Sequence, residues 1–189
     1  MGEFSDIVDE TFGKGLNAHG FVRSTKQRDL VKYESRLCTL AVAHDSQRSG
    51  EVFIGLNRRN AAHGPDYGFD EVIRAASVPA SLQPTGYAAR DEKSVRKLLR
   101  NMAELLATYC APLLRGDEAA WSRLIAQRDT DASRYAIENR LRQVLNIATE
   151  AWHAKDYAKV VGLLDPVRSA LDTVDRAKLE HAERKLRDA

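Results

Sequence analysis

Two short apolar stretches separated by a polar turn most constrain what this chain can fold into. Residues 38–44 read CTLAVAH, residues 52–57 read VFIGLN, and residues 45–50 between them read DSQRSG. Side chains alternate between the two faces of a strand, so Leu40 and Val42 share one face while the smaller Ala41 and Ala43 take the other. The pattern predicts a β-hairpin. Because a hairpin alone is marginal in water, further elements must cover its apolar face.

The residues that precede this hairpin predict a helix and a second hairpin. Apolar residues recur at helical spacing over 4–18, and Gly20 follows that pattern. Residues 21–24 and 30–35 read as two strands around the charged turn 26–29. The first part of the chain is therefore expected to be an N-terminal helix and a four-stranded antiparallel β-meander.

The second part of the chain has the periodicity of helices. A short helix at 69–76 and an irregular segment at 77–89, rich in Pro and Gly, come first. We expect the later helices at 91–114, 118–128, 134–154, 157–171 and 174–187, with a polar break at 129–133. Segregated strands and helices predict an α+β fold whose two parts, 1–89 and 90–189, pack as one compact unit.

Composition restricts the function classes that suit this chain. The 29 Lys and Arg residues against 27 Asp and Glu give a net charge of +2, which argues against a protein built mainly for nucleic acid or a membrane surface. Cys38 and Cys110 lack metal-type spacing, so free thiols in a reducing cytoplasm are the simplest interpretation. The acidic start is unlike a signal peptide, and no apolar run is long enough to span a membrane.

Three patterns could carry chemistry, and each has a simpler structural interpretation. Residues 13–15 read GKG, but they end a helix pattern and do not open one after a strand, as a phosphate loop would. Glu150 and His153 have di-iron spacing without the second motif that such a site needs. His44 could act as a base, yet Cys38 lies about 20 Å away along the same strand. We therefore predict no catalytic residues, no metal, no cofactor and no enzymatic activity.

The predicted function is binding, and the sequence leaves two classes of partner open. Aromatic and charged residues near the strand ends and the loop at 58–69 suit contact with another protein. Basic residues around both hairpins could instead form a basic rim for nucleic acid or another anionic ligand, although charge also protects sheet edges. The members of this rim are Arg23, Lys26, Arg28, Arg36, Arg48, Arg58 and Arg59. The candidate partner-binding residues are Tyr33, Phe53, Arg58, Arg59, Asp66, Tyr67 and Phe69.

Two resemblances complete the predictions. Residues 151–157 read AWHAKDY, and this segment resembles the step between helices of a tetratricopeptide repeat, which implies a helical hairpin with repeat-like packing over 140–186. With the hairpin at 37–57 and the Gly20-Phe21 step, the chain also resembles small bacterial α+β proteins, some of them immunity proteins of toxin systems. That resemblance implies a cytoplasmic, non-enzymatic inhibitor of a partner protein such as a toxin.

Overall fold

A computed structural model describes residues 3–59 and 66–188. Contacts divide the chain into two compact units, Met1–Arg128 and Asp129–Ala189. The strands are β1 (Val22–Gln27), β2 (Leu30–Glu34), β3 (Cys38–His44), β4 (Val52–Arg58) and β5 (Tyr67–Gly68). The helices are α1 (Phe4–Asn17), α2 (Phe69–Ala75), α3 (Glu92–Tyr109), α4 (Ala111–Leu114), α5 (Glu118–His153), α6 (Tyr157–Leu164) and α7 (Thr173–Arg187). The predicted α+β class, with its leading helix, antiparallel meander and helical C-terminal region, is confirmed.

The sheet is an antiparallel meander in the order β1-β2-β3-β4-β5. Leu40 lies opposite Leu56, and Val42 lies opposite both Val31 and Ile54, so apolar residues of three strands meet on one face. These side chains are almost completely buried. The alternation of the sequence therefore sets both the register and the face that the core covers. The short β5, which was not predicted, adds a fifth strand beside β4.

Helices of the first unit cover the apolar face of the sheet. In α1, Ile7, Val8 and Phe12 face the core at the three- and four-residue spacing of an amphipathic helix. Trp121 of α5 is 1% exposed, and its indole Nε1 donates a hydrogen bond to the carbonyl oxygen of Leu113 at 3.1 Å. Since α3, α4 and the start of α5 share one core with the sheet, the predicted division at 89/90 falls inside the first unit.

Two features occupy the edges of the sheet. Backbone at 87–89 runs beside the start of β4, where the amide of Val52 donates to Tyr87 at 2.9 Å and the amide of Ala89 donates to Gly50 at 2.7 Å. At the other edge, the register of β1 shifts between Arg23 and Thr25, which is a β-bulge. The segment predicted as an irregular linker therefore contributes hydrogen bonds that hold the second hairpin.

The second unit has a small core of its own. Ala148 and Ala151 of α5 are buried with Val160 of α6 and Leu179 of α7. Beside them Trp152 lies edge-on to Tyr157 and His181, with ring centroids 6.0 and 5.3 Å away. The small alanines let the helices approach closely while the aromatic rings fill the remaining space.

Two helix boundaries in this part of the chain differ from the prediction. Helix α5 is continuous through residues 129–133, so the predicted polar break is wrong. That segment contains neither Pro nor Gly, and Arg134 donates to Asp131 at 3.0 Å within the helix. Helix α6 ends at Leu164 because Pro166 lacks the amide hydrogen that would continue it, and a 3-10 helix follows at Asp165–Ala170.

No helix within residues 3–59 and 66–188 combines the length and the apolar character needed to cross a bilayer.

Gly20 and Gly116 both have left-handed backbone, but only Gly116 has a close neighbour. Comparing alanine substitutions at the two positions therefore separates the cost of a steric clash from the cost of backbone strain. Gly116 has a φ of +74°, and a Cβ added there would lie 2.5 Å from Leu37 Cδ1. Gly20 has a φ of +75° with nothing within 4 Å of an added Cβ. We expect Gly20→Ala to lower the free energy of unfolding by about 1–2 kcal/mol through strain alone, and Gly116→Ala to lower it further.

The measurement is urea denaturation in a Trp152→Phe background, where Trp121 alone reports unfolding of the first unit. Equal losses for the two alanine variants would show that Leu37 does not pack against the turn at Gly116.

Candidate interaction surface

In the part of the chain that the structure describes, the sheet face that points away from the core stays partly accessible to solvent. We call this surface the open face; its members in β2, β3 and β4 alternate with the core residues, and none of them is buried. Phe53, the largest apolar side chain among them, is 51% exposed. The open face consists of Leu30, Lys32, Glu34, Thr39, Ala41, Ala43, Phe53, Gly55 and Asn57.

The open face changes from apolar to polar along the strands. At one end, the cross-strand row is Leu30, Ala43 and Phe53. In the middle, Ala41 lies opposite Gly55, so the side chains of β3 and β4 are short there, and the Asp66 side chain borders this low centre at Gly55. A low centre beside an exposed aromatic ring permits another backbone to lie close to the sheet while Phe53 supplies contact area.

Three of the predicted partner-binding residues belong to or reach this surface. Phe53 is part of it, and Arg59 Nη2 lies 3.2 Å from Oε2 of the outward-facing Glu34. A Cβ built at Gly55 would lie 3.4 Å from Asp66 Cβ, which places the Asp66 side chain over the open face. The predicted loop also included residues 60–65, which lie outside the described residues.

Two predicted contact residues are instead part of the core. Tyr33 is 2% exposed, and its hydroxyl donates to Asp9 Oδ1 at 2.7 Å. Burial and this hydrogen bond raise the pKa of Tyr33. Phe69 is 4% exposed and meets the Tyr87 ring edge-on with centroids 6.1 Å apart. Predicting Tyr33 and Phe69 as surface contacts was therefore wrong, because strand alternation and the first turn of α2 direct both rings inward.

Ion pairs neutralise much of the predicted basic rim. Arg58 extends from the end of β4 on the core side and forms a bidentate pair with Glu118 at the start of α5. The four rim cations with carboxylate partners are Arg23, Lys26, Arg58 and Arg59. Arg58 and Arg59 are adjacent in sequence but have different partners, so they do not form one anion site.

A clamp centred on Arg128 holds β5 and the start of α2. Arg128 donates from Nε and Nη2 to the two oxygens of Glu71, each at 2.7 Å, and from Nη2 to the Asp66 carbonyl at 2.8 Å. Its guanidinium lies 3.8 Å from the centre of the Tyr67 ring. The Gly68 amide also donates to Glu71 at 2.8 Å. The clamp therefore explains the half-buried position of Tyr67, another predicted contact residue.

The charge of Glu71 depends on this clamp. Hydrogen bonds from Arg128, followed by the one from the Gly68 amide, lower the pKa of the Glu71 carboxyl although partial burial opposes them. A bidentate Arg–carboxylate pair of this geometry is among the stronger polar contacts that proteins form. No local sequence signal pointed to it, because Glu71 and Arg128 are 57 positions apart.

The two thiols are buried, and His44 contacts a backbone carbonyl. Burial raises the pKa of the Cys38 thiol to about 11 and that of Cys110 to about 12, so both remain protonated and unreactive near neutral pH. The His44 Nε2 lies 3.0 Å from the carbonyl oxygen of Ala89. In the part of the chain that the structure describes, no group of three His, Cys, Asp or Glu residues could hold a metal ion.

Positive charge without an ion pair to a described residue is also found on α3. Lys93, Lys97 and Arg100 recur at four- and three-residue spacing, so they share one face of the helix. All three are exposed, and none forms an ion pair with a described residue. We call these three residues the α3 stripe.

Comparisons with known proteins find no relative: no family model, no curated protein and no solved structure matches this chain. The resemblances to tetratricopeptide repeats and to immunity proteins therefore stay predictions.

The clamp gives a pH-dependent prediction. Glu71→Gln should lower the free energy of unfolding by about 1–2 kcal/mol at pH 7, because the charged acceptor of three hydrogen bonds is lost. Since the folded-state pKa of Glu71 is lowered, its contribution is complete above the unfolded value of about 4.3 and disappears as pH falls through the folded value. The difference in free energy of unfolding between Glu71→Gln and the wild type should therefore decrease as the pH falls.

The measurement is urea denaturation from pH 7 to pH 3. Glu138→Gln is the matched control, because Glu138 is 60% exposed and lies 3.9 Å from Arg134, and we expect it to change stability by less than about 0.5 kcal/mol. If Glu71→Gln lowered the free energy of unfolding by the same amount at every pH, the ionised carboxylate of Glu71 would not be the stabilising group.

Proposed function

We propose that this protein is a non-enzymatic protein-binding module that contacts a partner protein through its open face. The observation that carries this proposal is the contrast between the two faces of one sheet: Leu40 and Leu56 are fully buried, whereas Phe53 is half-exposed. An antiparallel sheet can leave one face to water, but such a face is usually polar along its length. Here an exposed aromatic ring adjoins a low centre of Ala and Gly.

The chemistry of the open face suggests the kind of partner. The low centre at Ala41 and Gly55 suits a helix that lies close to the strands, and Phe53 would pack against the apolar stripe of that helix. Glu34, Arg59 and Asp66 supply both signs of charge beside it. Mixed charge at the edge of an apolar contact favours selection of the partner over raw affinity.

A binding role also agrees with the state of the reactive groups. Both thiols have a raised pKa, and His44 contacts a backbone carbonyl, so neither kind of group is poised for catalysis. Two free, buried cysteines suit a reducing compartment such as the cytoplasm. Within this proposal, inhibition of a toxin-like partner is the finer hypothesis, and it rests on the resemblance to immunity proteins.

Photo-crosslinking tests the open face directly. A photoreactive phenylalanine analogue placed at position 53 or at position 41 should capture the same protein in cells, because both positions lie on the open face. With the captured protein purified, Phe53→Asp should weaken the complex about tenfold or more, as expected when an aromatic anchor is replaced by a charge.

Leu82 provides the matched control, since it is 45% exposed and lies in a 3-10 helix outside the sheet. The analogue at position 82 should capture nothing in common with position 53, and Leu82→Asp should leave the affinity unchanged. Equal capture from positions 53 and 82, or equal affinity of both Asp variants, would count against the open face.

A second candidate function rests on the α3 stripe. Three unpaired cations on one helix face could bind the phosphates of a nucleic acid, in place of the rim that ion pairs neutralise. If so, affinity for a single-stranded oligonucleotide should fall steeply with salt. Lys97→Ala with Arg100→Ala should lower the slope of log affinity against log salt by about one for each cation removed.

Fluorescence anisotropy over a salt series measures this slope. Arg28→Ala with Arg48→Ala removes the same charge near the hairpin turns and should leave the slope unchanged, since those residues lie outside the α3 stripe. Equal effects of the two double variants would indicate non-specific attraction without a site on α3.

A further inference from the structure

A cleft lies between α1 and α3, on the helical side of the sheet and away from the open face. Its volume is about 210 Å³, and its walls are mostly apolar. Phe12 and Leu16 contribute from α1, Leu106 from α3 and Leu114 from α4. The cleft lies within the first unit, and its lining includes none of the residues that form the open face.

Small residues keep this cleft open. Gly15 of α1 and Ala103 and Ala107 of α3 line it. A glycine inside a helix costs about 0.5–1 kcal/mol relative to alanine, so its presence calls for a reason. No neighbour supplies one, because a Cβ added at Gly15 would meet nothing within 4 Å. A longer side chain at position 15 would therefore extend into the space of the cleft without a clash at its Cβ.

Two polar side chains border the cleft. His19 and Glu104 both line it, and neither side chain forms a hydrogen bond or an ion pair with a residue that the structure describes. A carboxylate accepts hydrogen bonds, and a neutral imidazole has one accepting nitrogen. The edge of the cleft therefore offers hydrogen-bond acceptors to a ligand that carries an N–H or O–H donor.

We propose that the cleft binds a small aromatic molecule that carries a hydrogen-bond donor, of the indole, phenol or arylamine class. An apolar cavity of about 150 Å³ is enough to bind benzene, so 210 Å³ has room for a ring with a polar substituent or a fused second ring. The ring packs over Gly15, Ala103 and Ala107, and beneath it lie Phe12, Leu16 and Leu114, which are 2–3% exposed. The donor reaches His19 or Glu104 at the edge of the cleft. This site is independent of the open face, so either proposal can fail alone.

Indole is the probe, and titration of the full chain is followed by calorimetry and by NMR chemical-shift mapping. We expect saturable binding, with shifts concentrated at residues of α1 and α3 that line the cleft. Gly15→Leu should weaken binding about tenfold or more because the new side chain occupies the space of the ring. Ala107→Met fills the same space from the other helix and should give the same loss.

Gly13→Leu is the matched control. Gly13 lies two residues earlier in α1, has equally open surroundings and is absent from the lining of the cleft. Both leucine variants replace a helix-interior glycine, so circular dichroism should show both folded, and Gly13→Leu should bind indole like the wild type. Equal binding to wild type and Gly15→Leu, or equal weakening in the two leucine variants, would overturn the proposal.

Benzoate tests the effect of the Glu104 charge at the edge of the cleft. Benzoate carries a ring of similar size but a negative charge, so Glu104 should make it bind about tenfold more weakly than indole, and Glu104→Gln should narrow that difference. Absence of indole binding to the wild type overturns the proposal.

Discussion

The fold depends on burying one face of an antiparallel sheet whose strands alternate strictly between apolar and small or polar residues. Once Leu40, Val42 and Leu56 enter the core, the period of two forces Ala41 and Phe53 to the other side. Helices α1, α2 and α3, together with the start of α5, pack on the apolar side because only that side excludes water over a continuous area. Burial of one set of alternate side chains therefore places the other set on the open face.

The strands and most helices could be predicted from the sequence because their signals are local. Alternation around turn residues predicts the two hairpins, and three- and four-residue spacing predicts α1, α3 and α7. Strand β5 has two residues, too few for any alternation, and exists because β4 offers it a partner. The polar residues 129–133 predict a break but lie inside α5, because helix ends need a cap or a breaker such as Pro166.

The candidate surface was predicted less well because side-chain partners are not local. Phe53 is exposed as expected, since its cross-strand neighbours are small. Tyr33 shares a face with the buried Val31, so its pattern indicated the core even though its chemistry suggested a contact. Arg58 meets Glu118 at a separation of 60 positions, which no local pattern reveals. Arg128 is similar, since the residues it clamps come from another segment of the chain.

The edges of the sheet also determine how copies of this protein can meet. At β4, backbone from 87–89 takes up hydrogen-bonding groups that a foreign strand would need, and β5 presents only two residues. At β1, the bulge disturbs the regular ladder, while Arg23 and Lys26 hold charge along the strand through ion pairs with α1. Strand-by-strand growth into fibrils is consequently disfavoured at both margins. Another copy of the protein must therefore approach through the open face of the sheet. Crowding should accordingly promote face-to-face association before it promotes the addition of strands at the sheet edges.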